Sequence, residues 1–386
     1  MAAIASGSLN HNNSQLFNPV IFPQVCRNNS YYISQIDHRI HFDPSLTIIL
    51  IIIIIIIMVT AFIGNFLIII TIYYSKRLHT NSGYLMANLA AADLLFSCTV
   101  IPSTLVILIY RRNILPSVLC VMSGFFYTLA GGTSIATIAS ITTDRFIAVF
   151  KPLHYPSWMS SQFIAILIAF SWIFAGIHAV IPMLGLECYG LGRYTFMQAS
   201  ASCWIDSTLM RGLPNQVYIT LSTIEVCLLL SFVVFSYIFM YCKARDSNRK
   251  VWSINLSIRS HAVQSNAFTQ PNRKRHICKA TKTTLTLISA FLVCWTPAAL
   301  EAVLALYLPY QISDVVFLVL TWLTYLNSAI NPIIYGLMNR NFIESFRQLA
   351  RRYQSKHCNW IGPLFGQKTS VTLVENIRDS KLNQYG

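Results

Sequence analysis

Seven stretches of this chain are apolar for long enough to cross a lipid bilayer: near residues 46–74, 82–110, 117–150, 162–185, 214–243, 278–306 and 311–336. A hydrocarbon core about 30 Å thick takes roughly 20 mainly apolar residues as a helix. In lipid, backbone N–H and C=O groups must find their partners within the segment, so each stretch is expected to be helical. The predicted fold class is an all-α membrane protein, a seven-helix transmembrane bundle over 46–337. No soluble domain of this size needs so many apolar runs, and only 11% of the residues are charged. The remaining parts are a polar tail at 1–45, a short amphipathic membrane-surface helix at 338–352 and a tail at 353–386.

The net charge of +15 would suit a nucleic-acid partner, but its distribution points to the bilayer instead. Lys76, Arg77 and Lys151 follow the first and third spans. Arg245, Arg249, Lys250, Arg259, Arg273, Lys274 and Arg275 lie between the fifth and sixth, and Arg347, Arg351 and Arg352 follow the seventh. If the spans alternate, all of these fall on one side, and the basic side is normally cytoplasmic. Arg111, Arg112, Arg193 and Arg211 fall on the other side, so the bias is not absolute. The N-terminus is then extracellular, and a multi-pass plasma-membrane protein is expected, with no nucleic acid as partner.

Residues 1–45 lack a basic region followed by a short apolar core, so the first span is expected to act as its own insertion signal. Asn12 and Asn28 each open an Asn-x-Ser sequon in the outer tail. Cys26, Cys120, Cys188 and Cys203 fall on the outer side, where disulfides are permitted. Four cysteines allow three pairings, and spacing does not choose among them. Segment 244–276 is polar and basic and reads as a flexible cytoplasmic loop. Phe342, Ile343, Phe346 and Leu349 recur at helical spacing within 339–352, the pattern of a helix lying on the inner leaflet. Cys358 beyond it is a palmitoylation site or a free tail thiol. The sequence shows no metal-ligand cluster, phosphate loop or nucleophile–base arrangement, so no enzyme is indicated.

The polar residues inside the spans form one ordered set. Gly64-Asn65 lies in the first span, Leu89-Ala90-Ala91-Ala92-Asp93 in the second and Asp144-Arg145-Phe146 at the end of the third. Trp172 lies in the fourth, Cys294-Trp295-Thr296-Pro297 in the sixth and Asn331-Pro332-Ile333-Ile334-Tyr335 at the end of the seventh. Ionisable and amide side chains are costly in lipid and mark functional positions. Together these residues resemble the rhodopsin-like (class A) G-protein-coupled receptors, from about Asn65 to Arg352.

The resemblance implies a receptor that passes an extracellular signal to heterotrimeric G proteins, with arrestin and a receptor kinase as further partners. It implies a Cys120–Cys203 disulfide, and a sodium ion at Asp93 with Ser134, Asn327, Ser328 and Asn331; a hydrogen-bond network without sodium is the alternative. It makes Asp144 and Arg145 the coupling switch, Tyr237 and Tyr335 the tyrosines that move toward Arg145, and Leu153 an apolar G-protein contact or a loop-packing residue. Ile135, Phe291, Trp295, Pro297, Asn331 and Pro332 form the activation core. The chain departs from the family at Ile277, where an acid often tethers the arginine, and at Leu229, where a proline is usual. The missing acid implies signalling without ligand.

For the ligand, an extracellular small molecule or peptide, the signals are mixed. The outer segment 190–206 resembles that of opsins, but Tyr325 stands where an opsin carries its retinal lysine, so no retinal Schiff base and no covalent cofactor is expected. The seventh span from Trp322 to Ser328 resembles amine receptors, but Tyr127 stands where those carry an aspartate. Glu225 and Glu301 are the remaining acids near the pocket. Glu225 is either a cation partner or a neutral structural glutamate. Pocket candidates are Tyr127, Glu225, Trp295, Glu301, Trp322 and Tyr325. Gly131-Gly132 either widens the pocket or permits close helix packing. An opsin-related sensor with a non-covalent ligand is the nearest alternative. A channel or transporter is the alternative from another class, without the paired repeats or broken helices common there.

Overall fold

A computed structural model of the chain describes residues 40, 42–205, 213–261, 272–307 and 313–365. Seven of its helices are long and apolar enough to span a membrane: α1 (Pro44–Tyr74), α2 (Asn81–Tyr110), α3 (Ser117–Phe150), α4 (Ser161–Val180), α5 (Leu213–His261), α6 (Asn272–Tyr307) and α7 (Asp314–Met338). An eighth, α8 (Arg340–Phe365), follows, and a single turn, Tyr155–Trp158, sits between α3 and α4.

The helix starts carry local signals. Asp43 accepts the N–H of Ser45 at 2.8 Å, with Pro44 opening the helix. Thr80 and Ser160 cap α2 and α4 through the N–H groups of Gly83 and Phe163, each at 3.2 Å. In the isoleucine run of α1, Ile54 and Ile57 are buried, whereas Ile52, Ile53, Ile55 and Ile56 are exposed. That run is mostly lipid-facing surface.

The buried interior is held by α3, which packs on α2, α4, α5 and α6, while α1 closes against α2 and α7. Close approach depends on small residues at two crossings. A Cβ on Gly64 would lie 2.5 Å from the Pro332 ring, and one on Gly132 would lie 3.0 Å from Ala175 Cβ. By contrast, the α4 and α5 backbones stay apart.

Two short antiparallel strands, β1 (Tyr194–Met197) and β2 (Ser202–Ile205), form a hairpin with Phe196 opposite Cys203. The Cys120–Cys203 disulfide ties the hairpin to the start of α3. Tyr194 packs over Gly124, where a Cβ would come within 2.5 Å of its ring. Its buried hydroxyl lies 3.0 Å from both the Ala179 carbonyl and the Thr128 hydroxyl.

The structure corrects two expectations. Segment 244–276 is not a loop throughout: α5 continues to His261 and α6 begins at Asn272. The stretch from Lys243 to His261 contains no proline or glycine, so nothing in the backbone stops the helix when it leaves lipid. Likewise the surface helix runs to Phe365, past the predicted end at 352. Asn12, Asn28 and Cys26 lie outside the described residues, as do the side chains of Cys188, Ile277 and Cys358.

Candidate ligand cavity and coupling site

Beneath the hairpin lies a cavity of about 150 Å³, walled by Tyr127 of α3, Trp204 and Ile205 of β2, Tyr218 and Ser222 of α5, Trp295 and Glu301 of α6, and Phe317, Thr321 and Thr324 of α7. Tyr127 is held by a 3.1 Å hydrogen bond between its hydroxyl and that of Thr324. A second lobe of about 130 Å³ shares Tyr127, Trp204, Tyr218 and Trp295 and extends between α3, α4 and α5, past Gly131 and Gly132 to His178 and Glu225. Glu225 Oε2 lies 3.0 Å from His178 Nε2. The two glycines serve different ends. Gly132 admits α4, while a Cβ on Gly131 would meet the Trp295 ring at 3.4 Å.

Of the predicted pocket residues, Tyr127, Trp295 and Glu301 line the main lobe and Glu225 the side lobe. Trp322 and Tyr325 do not line either. The rotation of α7 turns Thr321 and Thr324 to the cavity and sends Tyr325 toward α2, where its ring packs 5.1 Å from Phe96 and its hydroxyl lies 3.3 Å from that of Thr104. Trp322 stacks behind it at 6.5 Å. These rings support the wall from outside the cavity.

Below the cavity, Trp295 packs on Phe291 with ring centroids 5.9 Å apart, and Ile135, Phe291 and Leu229 share one apolar cluster with it. Pro297 sits within α6 and Pro332 within α7. Asp93 is buried one layer deeper. Its Oδ1 accepts from Ser328 at 2.8 Å and from Ser134 at 3.4 Å, and its Oδ2 accepts from Asn331 at 2.7 Å. Asn327 is buried nearby and is not one of these three donors. Asn65 bridges α1 to α7, donating to the Ser328 carbonyl at 2.9 Å, and its own Oδ1 is buried without a partner.

At the opposite end from the hairpin, Asp144 is fully buried and gathers four donors. Arg145 reaches its Oδ2 through Nε at 2.9 Å and Nη2 at 2.5 Å; Ser82 donates to the same oxygen at 3.0 Å, and Tyr155 to Oδ1 at 2.7 Å. Arg145 also bonds Ser82. Burial, then the bond to Asp144, push the Tyr155 phenol up to about 12. Neither Ser82 nor Tyr155 was signalled by the sequence, since their partner lies on another segment. A cleft of about 760 Å³ opens beside Arg145, lined also by Ile141, Thr283, Tyr335, Met338 and Arg340. The Tyr335 hydroxyl is buried with no partner. Tyr237 accepts from Ser289 at 3.3 Å on the α5–α6 side, and Leu153 is 91% exposed.

A seven-helix bundle with a roofed cavity at one end, a buried carboxylate cluster at its centre and an Asp–Arg pair beside an open cleft at the other is the architecture of a transmembrane signal receptor. Residues 64–335 match the seven-transmembrane receptors of the rhodopsin family; the chain belongs to that family and is a G-protein-coupled receptor. Similar proteins include trace amine-associated receptor 1 of Mus musculus, 29% identical over 275 residues, covering 71% of this chain and 80% of that protein. Trace amine-associated receptor 9 of Homo sapiens is 29% identical over 315 residues, 80% of this chain and 86% of the relative. Octopamine receptor beta-2R of Drosophila melanogaster is 23% identical over 337 residues, 78% and 60%.

Proposed function

We propose that this receptor lies in the plasma membrane with its N-terminus outside, binds a small organic molecule in the two-lobed cavity, and transmits through Arg145 to a heterotrimeric G protein, with no enzymatic activity of its own. The observation that carries the ligand assignment is the cavity itself, buried beneath a disulfide-anchored hairpin and bottomed by Trp295. The names of the relatives point to amines. Here the α3 position that would pair an amine holds Tyr127, so a basic ligand is recognised by Glu225 or Glu301. Arrestin and a receptor kinase are proposed partners of the Arg145 face and tail. Asn12 and Asn28 are proposed glycosylation sites on the outer tail at 1–45, and Cys358 a lipidation site beyond α8.

A screen of small amines with a second-messenger readout in cells expressing the chain tests the assignment. Tyr127→Ala removes a wall and the bond to Thr324. It is expected to lower agonist potency at least about tenfold, roughly 1.4 kcal/mol, at unchanged surface expression. Unchanged potency would place the ligand elsewhere.

The Asp93 cluster fits a sodium ion. One carboxylate and the Ser134 and Ser328 hydroxyls converge there as hard oxygen donors, the ligand type that alkali and alkaline-earth cations take, and Asn331 orients the carboxylate from the other side. The ion would supply the positive charge that a buried carboxylate otherwise lacks. In purified receptor, sodium chloride is expected to stabilise against heat relative to choline chloride. At about ten times Kd the gain is about 1.4 kcal/mol, and Asp93→Ala should remove it. Equal melting in both salts would favour the hydrogen-bond network alone.

A further inference from the structure

His178 and Glu225 stand where an apolar surface is expected. On α5, Glu225 lies four residues after Leu221 and three before Leu228, both well exposed, and that spacing puts all three on one helix face. On α4, His178 follows Phe170 and Phe174 at four-residue steps, and the three rings run in a line with centroids 5.4 and 5.0 Å apart. The α4 and α5 backbones stay apart, bridged by the Tyr218 hydroxyl, which donates to the His178 carbonyl at 3.1 Å, and the pair sits in a cleft between two lipid-facing surfaces, with side chains 26% and 29% exposed. Inward, the same residues line the side lobe that leads past Gly131 and Val226 to Trp295. Polar groups facing hydrocarbon are costly. One imidazole N–H also leaves most of the acceptor capacity of a carboxylate unused.

We propose that this cleft is a binding site, reached from within the bilayer, for the basic head of a lipophilic amine. Glu225 takes the ammonium group, and the Phe170–Phe174 and Leu221–Leu228 faces take its apolar chain. Charge selects the ligand class. The unused capacity in the cleft is acceptor capacity, and an ammonium donates to a carboxylate more strongly than a neutral hydroxyl does. His178 is the resting partner that an arriving ammonium displaces. The proposal rests on the receptor reading only in joining the cleft to the ligand cavity, and binding is measured without G protein, so the two can fail separately.

The test uses the full chain in phosphatidylcholine nanodiscs, with dodecylamine as probe and dodecan-1-ol at equal mole fraction as control. The amine is expected to raise the melting temperature saturably and the alcohol to leave it unchanged. Glu225→Gln should raise the half-saturating amine fraction about tenfold. Equal responses to amine and alcohol, or an undiminished response in Glu225→Gln, would overturn the site. So would a shift that appears only with two receptor copies per disc, which would make the cleft an interface between chains. Should Glu225→Gln fail to fold, the amine–alcohol comparison in the unaltered receptor decides alone.

Discussion

Asp144→Asn is expected to raise ligand-independent second-messenger output about three- to tenfold at equal surface expression. Asp144 is fully buried, and its carboxylate holds Arg145 by two contacts, with Ser82 and Tyr155 completing the set. An asparagine offers one acceptor oxygen and turns an amide toward at least one of these donors. Hydrogen bonds to charged groups are worth about 1.5–3 kcal/mol, but Arg145 keeps 18% of its side chain exposed beside an open cleft, so a smaller figure of about 1 kcal/mol applies. About 1 kcal/mol shifts a two-state ratio roughly fivefold. By the resemblance, Ile277 stands where family members often place an acid on α6, so the local pair is expected to carry this restraint. Restoring it with Ile277→Glu should lower basal output, partially, since Asp144 still holds Arg145. Unchanged output in Asp144→Asn would show that the pair does not hold the receptor silent.

Gly64→Val is expected to damage the bundle severely, with most of the protein lost from the cell surface and a melting temperature lowered by several degrees. Valine favours a helix over glycine by a few tenths of a kcal/mol, which argues for a gain. The contact argues more strongly for a loss. The first added carbon would sit 2.5 and 2.6 Å from two Pro332 ring atoms, and a proline ring cannot swing aside. Overpacking of this kind costs about 1–3 kcal/mol, and moving α1 away also breaks the Asn65 bond to Ser328. Gly64→Ala should fall between the two. A valine variant as stable as the parent would mean that the α1–α7 crossing is looser than its geometry.

The spans and their order were legible in the sequence because lipid imposes a length and a composition on each helix. The Asp93 cluster was legible for a related reason, since polar residues are rare enough in hydrocarbon that those present find one another. Legibility failed where the outcome depends on rotation or on partners far away in the chain. Tyr325 and Thr324 are neighbours, and only the packing of α7 decides which faces the cavity. His178 and Glu225 sit on different helices, and neither carries a local mark of the other. The helical run beyond Lys243 was misread because polar composition was taken as a loop signal, although composition stops a helix only through glycine, proline or competing side-chain bonds.

The unbroken course of α5 gives the molecule a lever. Its 49 residues, at about 1.5 Å per residue, make a rod about 73 Å long, of which about 27 Å extends past Lys243. Tyr218, Ser222 and Glu225 touch the cavity near one end of that rod. Turned about a fulcrum near mid-membrane, a tilt of about 5° at the cavity would sweep the far tip through roughly 4 Å, because a rigid helix transmits rotation undiminished along its axis. A ligand that displaces α5 at the cavity by about 1 Å is thereby multiplied into a movement wide enough to be felt by another protein.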